Sequence, residues 1–371
     1  MSIEPLNSSL ENKYFGIKGK ILGKINSGDY MDKLPSGKFL AEEFGANIKT
    51  VDKAIKSLEE DGILQRSKGK GTFILSDSEK DSARKQKSSP VMIGILSPLP
   101  EQMKDSWLSS TLTGIQTVIE KSGMNIILKG YHFRNGLDGE KAALANLLQC
   151  GISGLIAYPF ISDGGLTNQN IYRKLDIPLV FFDRYLENFD TDFAGVDHYE
   201  VGRAAAEFLI SRGHRKIAHI APSGNVKNTE DRIRGFNDAL LDAGIPLSED
   251  CFARTQSYED ADSIKSFLQR LAKVSATAVF ASHDGYALAV YAAAQELGIN
   301  IPDDISLIGF GNAAATGLLN ITSIDQSLAV TGRSAAEMLV ARINDPKKNG
   351  KVIHKVLPIS IIERASVKNL K

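Results

Sequence analysis

Along the first 75 residues, apolar positions recur at three- and four-residue steps, whereas from residue 91 onward they gather into short runs. Tyr14, Ile17, Ile21 and Ile25 form one apolar stripe that Gly28 and Asp29 close, which predicts a first helix. In "LPSGKFLAEEFG" (34–45), Ser36 after Pro35 predicts the N-cap of a short second helix with Phe39, Leu40 and Phe44 inward, and Gly45 supplies the turn. Asn47 then caps a third helix whose inner stripe is Val51, Ala54, Ile55 and Leu58, so Ile48, Lys49, Asp52, Lys53 and Lys56 face outward. "GILQRSKGKGTFIL" (62–75) reads as two strands around a basic, glycine-rich tip that can approach a phosphate backbone closely.

Residues 76–90, "SDSEKDSARKQKSSP", contain no apolar side chain except Ala83, which predicts a linker. Beyond it, the runs "VMIGILSP", "MNIILKG", "GLIAYP", "LVFFD", "IAHIAP", "ATAVFAS" and "ISLIGFG" alternate with helical stretches. Strands alternating with helices predict βαβ units and mostly parallel sheets. No repeat of fixed period is present.

Composition narrows the possibilities. With 371 residues the chain is long enough for two or three domains, and 44 basic against 44 acidic residues leave no net charge, so a nucleic-acid surface has to be local. Residues 1–75 hold twelve lysines and arginines against ten acids, so even there the cationic case rests on placement. The first twenty residues have no apolar core of a leader and no eighteen uncharged apolar residues run together, which predicts a cytoplasmic protein without a membrane partner. Cys150 and Cys251 lack CxxC spacing and read as reduced packing residues. His214 and His219 in "GHRKIAHI" are five residues apart, a spacing that suits neither a helical metal pair nor zinc motifs, so no metal is expected. No HExxH, GxSxG, GxxxxGK[ST] or dinucleotide fingerprint occurs, and neither an enzyme nor a cofactor is expected.

The motifs "LPSGKFLAEEFGA", "TVDKAIKSLEEDG" and "GKGTF" resemble the GntR-family winged helix-turn-helix across residues 11–75. The resemblance implies a DNA-binding head over 1–75, with Ser36, Lys38, Asn47, Ile48, Lys49, Thr50, Asp52, Lys53, Lys68, Gly69 and Lys70 at the DNA face. Two positions depart from the family, which usually carries guanine-reading arginines where this chain has Ile48 and Asp52. Ile48 could meet a thymine methyl and Asp52 a cytosine amino group, or Asp52 could pair with Lys49 or Lys56 on its own helix.

Residues 91–366 resemble the LacI/GalR effector domain, itself similar to periplasmic ribose-type sugar-binding proteins, through "IPLVFFDR", "EFLISRGHRKIAHIAP", "DRIRGFNDALLDAGI", "SHDGYALAVYAAAQELGINIPDDISLIGF" and "ITSIDQSLAVTGRSAAEML". The resemblance implies two doubly wound α/β lobes joined by three crossovers, with lobe one over 91–193 and 325–350 and lobe two over 194–324 and 351–366. By the same resemblance, Asp183 and Arg184 grip sugar hydroxyls, Arg232 reaches the ligand, and His283 with Asp284 offers a further hydroxyl site. Trp107 covers the ring's C–H groups, Asp105 holds a polar position beside it, and Gln326 lies at a crossover. Each has a plainer alternative: Asp183 and Arg184 as a structural ion pair, Trp107 as lobe packing. "GFGN" (309–312) replaces the family's common "GYDD", so a ligand carboxylate is missing at Gly311 and Asn312 is its partial substitute.

Head and body together resemble arabinose repressors. The combination implies a homodimeric regulator of carbohydrate-utilisation genes, most simply a repressor, on palindromic double-stranded operator DNA and controlled by a small sugar. A carbohydrate receptor without DNA regulation is the alternative; operator retention in a gel shift separates the two.

Overall fold

The computed structural model describes residues 8–67, 69–75, 91–99, 107–162, 166–224, 226–245, 248–345 and 351–371. The chain divides into two units, Met1–Pro90 and Val91–Lys371. The expected linker, 76–90, lies outside the described residues.

In the first unit, helices α1 (Ser8–Asn26), α2 (Gly37–Glu43) and α3 (Ile48–Glu60) precede a hairpin of β1 (Leu64–Ser67) and β2 (Gly71–Ile74). Ile17, Ile21, Leu40, Val51, Ala54, Ile55, Leu58 and Leu64 are buried together, as the helical spacing predicts. Ser36 Oγ accepts from Phe39 N at 3.2 Å and Asn47 Oδ1 from Lys49 N at 2.9 Å, so both polar residues cap the helices they precede. Gly45, at φ +61°, makes the turn between α2 and α3. Phe39 departs from expectation: seven residues give α2 one narrow inner face, which Leu40 and Ala41 occupy, and Phe39 is left exposed. The hairpin is antiparallel with Leu64 opposite Ile74 and Ser67 opposite Gly71.

The second unit contains two six-stranded sheets. The first lobe is built from β3 (Met92–Leu99), α4 (Trp107–Lys121), β4 (Asn125–His132), α5 (Gly136–Gln149), β5 (Gly154–Ala157), α6 (Gln169–Tyr172), β6 (Leu179–Phe182) and β7 (Asp192–Val196). The chain then enters the second lobe: α7 (His198–Ser211), β8 (Ile217–Pro222), α8 (Lys227–Asp242), β9 (Phe252–Thr255), α9 (Ala261–Lys273), β10 (Ala278–Ala281), α10 (Asp284–Leu297), β11 (Ser306–Phe310), α11 (Ala314–Leu318) and β12 (Thr322–Asp325). It returns to the first lobe for α12 (Leu328–Asn344) and β13 (His354–Leu357), and ends in the second with β14 (Ser360–Ile362). The sheet orders are β13-β7-β6-β5-β3-β4 and β14-β12-β11-β10-β8-β9, parallel except for β14 on β12.

Three chain crossings are present, as expected, but the lobe boundaries differ from the sequence reading. Strand β7 belongs wholly to lobe one, and β13, expected in lobe two, pairs with β7. Buried Asp192 explains the placement: its carboxylate takes a bidentate bond from Arg342 of α12 at 2.8 Å and another from Ile353 N at 2.8 Å, which pins the returning chain beside β7. The body also continues past residue 366, because Leu370 N donates to Arg212 O at 2.7 Å and Lys368 N to Ser306 Oγ at 2.9 Å.

One helix pair in each lobe packs through glycines. A Cβ on Gly114 of α4 would collide with Ala329 O, and one on Gly332 of α12 with Thr111 O. In lobe two, Gly202 of α7 faces Arg232 O and Gly235 of α8 faces Tyr199 O with equally little room. Backbones can approach this closely only without side chains between them, and α8 thereby acquires the position from which it presents Arg232. Cys251 is buried, whereas Cys150, expected to pack, is exposed after α5. His214 is fixed between Thr277 Oγ1 and Lys368 O, and His219 lies wholly buried on β8 with Nε2 2.9 Å from Ser282 Oγ.

Candidate DNA interface and effector cleft

Helix α3 presents Ile48, Lys49, Asp52 and Lys53 to solvent, and Ile48 is 53% exposed. Thr50 is half-buried; Lys38 on α2 and Gly69 and Lys70 at the hairpin tip are exposed, with Gly69 at φ +78°. Lys68 lies outside the described residues. The side-chain oxygens of Ser36 and Asn47 are engaged in capping.

Asp52 pairs with neither Lys49 nor Lys56. Its Oδ1 lies 2.7 Å from Arg66 Nη2, which also reaches Asp52 O at 3.4 Å, while Arg66 N donates to Glu59 Oε1 at 3.0 Å. The intrahelical alternative loses because β1 runs alongside α3 and brings up a planar guanidinium with several donors. Sequence spacing gave no sign of Arg66, since the pair spans 14 residues and exists only through packing of the hairpin on the helix.

In the second unit, side chains from the strand ends of both lobes converge. Trp107 opens α4 half-buried, its ring 5.3 Å from Tyr158 and 6.4 Å from Phe182 at the end of β6. Arg184 does not pair with Asp183; its guanidinium lies 4.6 Å over the Tyr158 ring. Asp183 adopts φ +58°, an uncommon conformation for a residue with a side chain, in which its carbonyl faces the second lobe. There it accepts from Asn228 Nδ2 at 3.1 Å and lies 3.4 Å from His198 Nε2.

Lobe two answers with Arg232, 6% exposed, its guanidinium 4.9 Å over Phe310 and Nη1 2.8 Å from His198 Nδ1. Because Arg232 can only donate, His198 Nδ1 is the acceptor and the ring proton is on Nε2, pointing at Asp183. Burial and the adjacent Arg232 hold His198 neutral, well below the usual histidine range. Burial likewise raises Asp183 above the ordinary carboxylate range, opposed by Arg184 and Arg232, and lowers Arg232 to about 10.

Arg184 Nε, Arg232 Nε and Gln326 Oε1 are buried without a hydrogen-bond partner among the described residues. Buried polar groups are nearly always paired, and these three atoms belong to residues singled out for ligand contact. Asp284 differs. Its carboxylate already accepts from Ala313 N at 2.6 Å, Ser323 Oγ at 2.7 Å and Thr316 Oγ1 at 3.4 Å, tying α10 to the β11–α11 turn and to β12. His283 caps α10 through Nδ1, 3.1 Å from Gly285 N, with its ring edge-on to Tyr258 and Tyr286. Asn312 Oδ1, expected to stand in for a ligand carboxylate, accepts from Arg364 Nη2 at 2.6 Å. Asp105 lies outside the described residues.

Sequence reasoning passed over Tyr158, His198, Asn228 and Phe310. Tyr158 and Phe310 stand at strand ends, and Asn228 is four residues before Arg232 on one face of α8, so these three were findable; His198 gains its role only from Arg232 and Asp183.

Comparison with known proteins finds a family model in each of the two units. Residues 13–74 match the family model for bacterial regulatory proteins of the gntR family, and residues 206–367 that for the periplasmic binding protein-like domain. The arabinose metabolism transcriptional repressor of Geobacillus stearothermophilus is 28% identical over 373 residues, covering 96% of this chain and 98% of that protein. The HTH-type transcriptional repressor PurR of Yersinia pestis is 33% identical over 284 residues, 74% of this chain and 79% of that one. Among solved structures, a LacI family transcriptional regulator from Enterococcus faecium with bound ribose superposes with a TM-score of 0.64 at 28% identity, over 76% of this chain and all of that one.

Proposed function

The chain belongs to the bacterial transcriptional repressors that join a gntR-family helix-turn-helix to a periplasmic-binding-protein-like domain, and we propose that it represses carbohydrate-utilisation genes under the control of a small sugar bound between its lobes. The observation that carries the sugar reading is the pair of buried guanidinium groups, Arg184 on Tyr158 and Arg232 on Phe310, each with an unpartnered Nε and both attracting the Asp183 carboxylate. Donors, a carboxylate and aromatic faces at one point are what vicinal hydroxyls and ring C–H groups require. The likeness to a ribose-bound regulator supports the same reading.

In this proposal Asp183, Arg184, Arg232, Gln326 and Trp107 contact the effector, and His198 and Asn228 orient Asp183. Asp284 holds the second lobe's loops in place. The head binds double-stranded operator DNA through α3 and the hairpin, two heads of a homodimer reading a palindrome. Effector and operator then alter each other's affinity reciprocally, on a scale of about 1 to 3 kcal/mol. Among the described residues no helix is long and apolar enough to cross a membrane, which suits a regulator working beside DNA in the cytoplasm. A gel shift on DNA selected from a random library, repeated with pentoses and hexoses, tests both halves. Absence of selected DNA would leave only a carbohydrate receptor; retained DNA binding that no sugar alters would remove the effector.

A further inference from the structure

A cavity of about 500 Å³ opens beside Arg184 and reaches Val226 of the second lobe. Trp107, Asp183 and Arg232 do not line it, so it adjoins the cluster described above and shares only Arg184 with it. Ligand pockets run to about 300–1,000 Å³, so this compartment by itself is large enough for a small molecule.

Its lining has a definite chemistry. Phe160 supplies an aromatic wall, Arg184 the inner end, and Arg134, Asn135, Asp138 and Ser162 polar groups of both signs. An anion would meet Asp138 and a cation would meet two arginines. Neutral hydroxyls suit such a mixed set, because each can donate to the carboxylate and accept from a guanidinium, while ring C–H groups lie on Phe160. The wall is also firmly held. Phe160 N donates to Glu140 Oε1 at 2.7 Å, and the same wholly buried carboxylate accepts from Tyr172 Oη at 2.6 Å and Asn168 Nδ2 at 2.7 Å. Burying a carboxylate is costly unless it is fully bonded, so this arrangement fixes the Phe160 loop against α5, and Tyr131 meets the Phe160 ring edge-on at 6.3 Å.

We propose that the effector is larger than one sugar ring, and that this cavity holds the second glycosyl unit of a disaccharide or glycoside, stacked on Phe160. The inference rests on the sugar reading above and extends it from one ring to two. Phe160 and Asp138 contact the outer unit, and Glu140 is a positioning residue.

The test is calorimetric titration of the full chain with D-xylose, L-arabinose, D-glucose and D-galactose against xylobiose, cellobiose, maltose, lactose and melibiose. One disaccharide is expected to bind at least tenfold more tightly than either of its constituent monosaccharides. Phe160→Ala and the exposed-rim variant Asp138→Ala should bring that disaccharide down toward the monosaccharide value and leave the monosaccharide unchanged, and Glu140→Gln should lower the same ratio. Asp138→Ala keeps the result interpretable if Phe160→Ala fails to fold. A monosaccharide bound as tightly as every disaccharide overturns the outer subsite and leaves the sugar reading standing; binding of no carbohydrate overturns both.

Discussion

Arg66 Nη2 on the first hairpin strand lies 2.7 Å from Asp52 Oδ1 on α3, so the anion in the outward face of that helix is matched by a cation from another element. The side chains are 63% and 39% exposed for Asp52 and Arg66. Such a pair contributes little to stability, about 0.2 to 1 kcal/mol; its consequence is where it holds a guanidinium.

Asp52→Asn is expected to strengthen binding to any DNA and to steepen its salt dependence, because one anion leaves the DNA face while Arg66 stays. Asp52→Arg should favour guanine in half-sites selected from a random library, at about 1 to 3 kcal/mol per mismatched pair. An unchanged salt slope and an unchanged selected motif in these variants would place Asp52 away from the DNA.

Lys53→Ala should weaken binding to all sequences alike and make the plot of log affinity against log salt shallower by about one unit. Loss confined to one base position would identify Lys53 as a base reader instead.

Sugar binding should change the emission of Trp107, the single tryptophan, since its ring lies against Tyr158 and Phe182 at the strand ends of the first lobe. Asp183→Asn keeps the backbone carbonyl that Asn228 and His198 engage and removes the charge. Its expected phenotype is a folded protein with no fluorescence response. A full response in that variant would exclude the carboxylate as a sugar contact.

His219 is held at about 3 by burial and His198 well below its usual value, so both folded-state values lie under the unfolded 6.5. Depressed values mean that the folded chain refuses protons the unfolded chain accepts; the stability these groups confer is present above pH 6.5 and is lost as pH falls toward 3. His219→Gln should flatten the decline below pH 6.5 by about 1.4 kcal/mol per pH unit. Denaturant titrations at pH 7, 6 and 5 measure it, and parallel curves for variant and parent would contradict the assignment.

Gly202→Ala should separate α7 from α8, because its Cβ meets Arg232 O. Overpacking of this kind costs about 1 to 3 kcal/mol. As α8 also carries Asn228 and Arg232, effector affinity should fall along with melting temperature; unchanged effector affinity would show that the cleft tolerates movement of α8.

Much of the architecture was legible in the residues. Period-3.6 stripes located the three helices of the head, and apolar runs located β3 to β6, β8, β10 and β11, because single-element burial imposes those spacings directly. Strands β7, β9, β12, β13 and β14 escaped: charged or hydroxyl residues interrupt the apolar run in "DFAGV", "FART" and "TSID", and β13 and β14 lie at sheet edges with mostly exposed or half-buried positions.

The sequence by itself determined the division into a three-helix head with a basic hairpin and an α/β body, because the spacing of apolar residues follows from the face each element buries; Asp183, Arg184, Arg232 and Gln326 were expected at the cleft from the family resemblance together with the placement of polar residues after strands. Only the tertiary structure decided the partners. Asp52 turned to Arg66, Asp284 to the loops of its own lobe, and Asn312 to Arg364, while His198 took up a place between Arg232 and Asp183. Each choice joins residues far apart in the chain, and a polar group is satisfied by whichever partner packing brings within about 3 Å, a distance that no spacing along the sequence encodes.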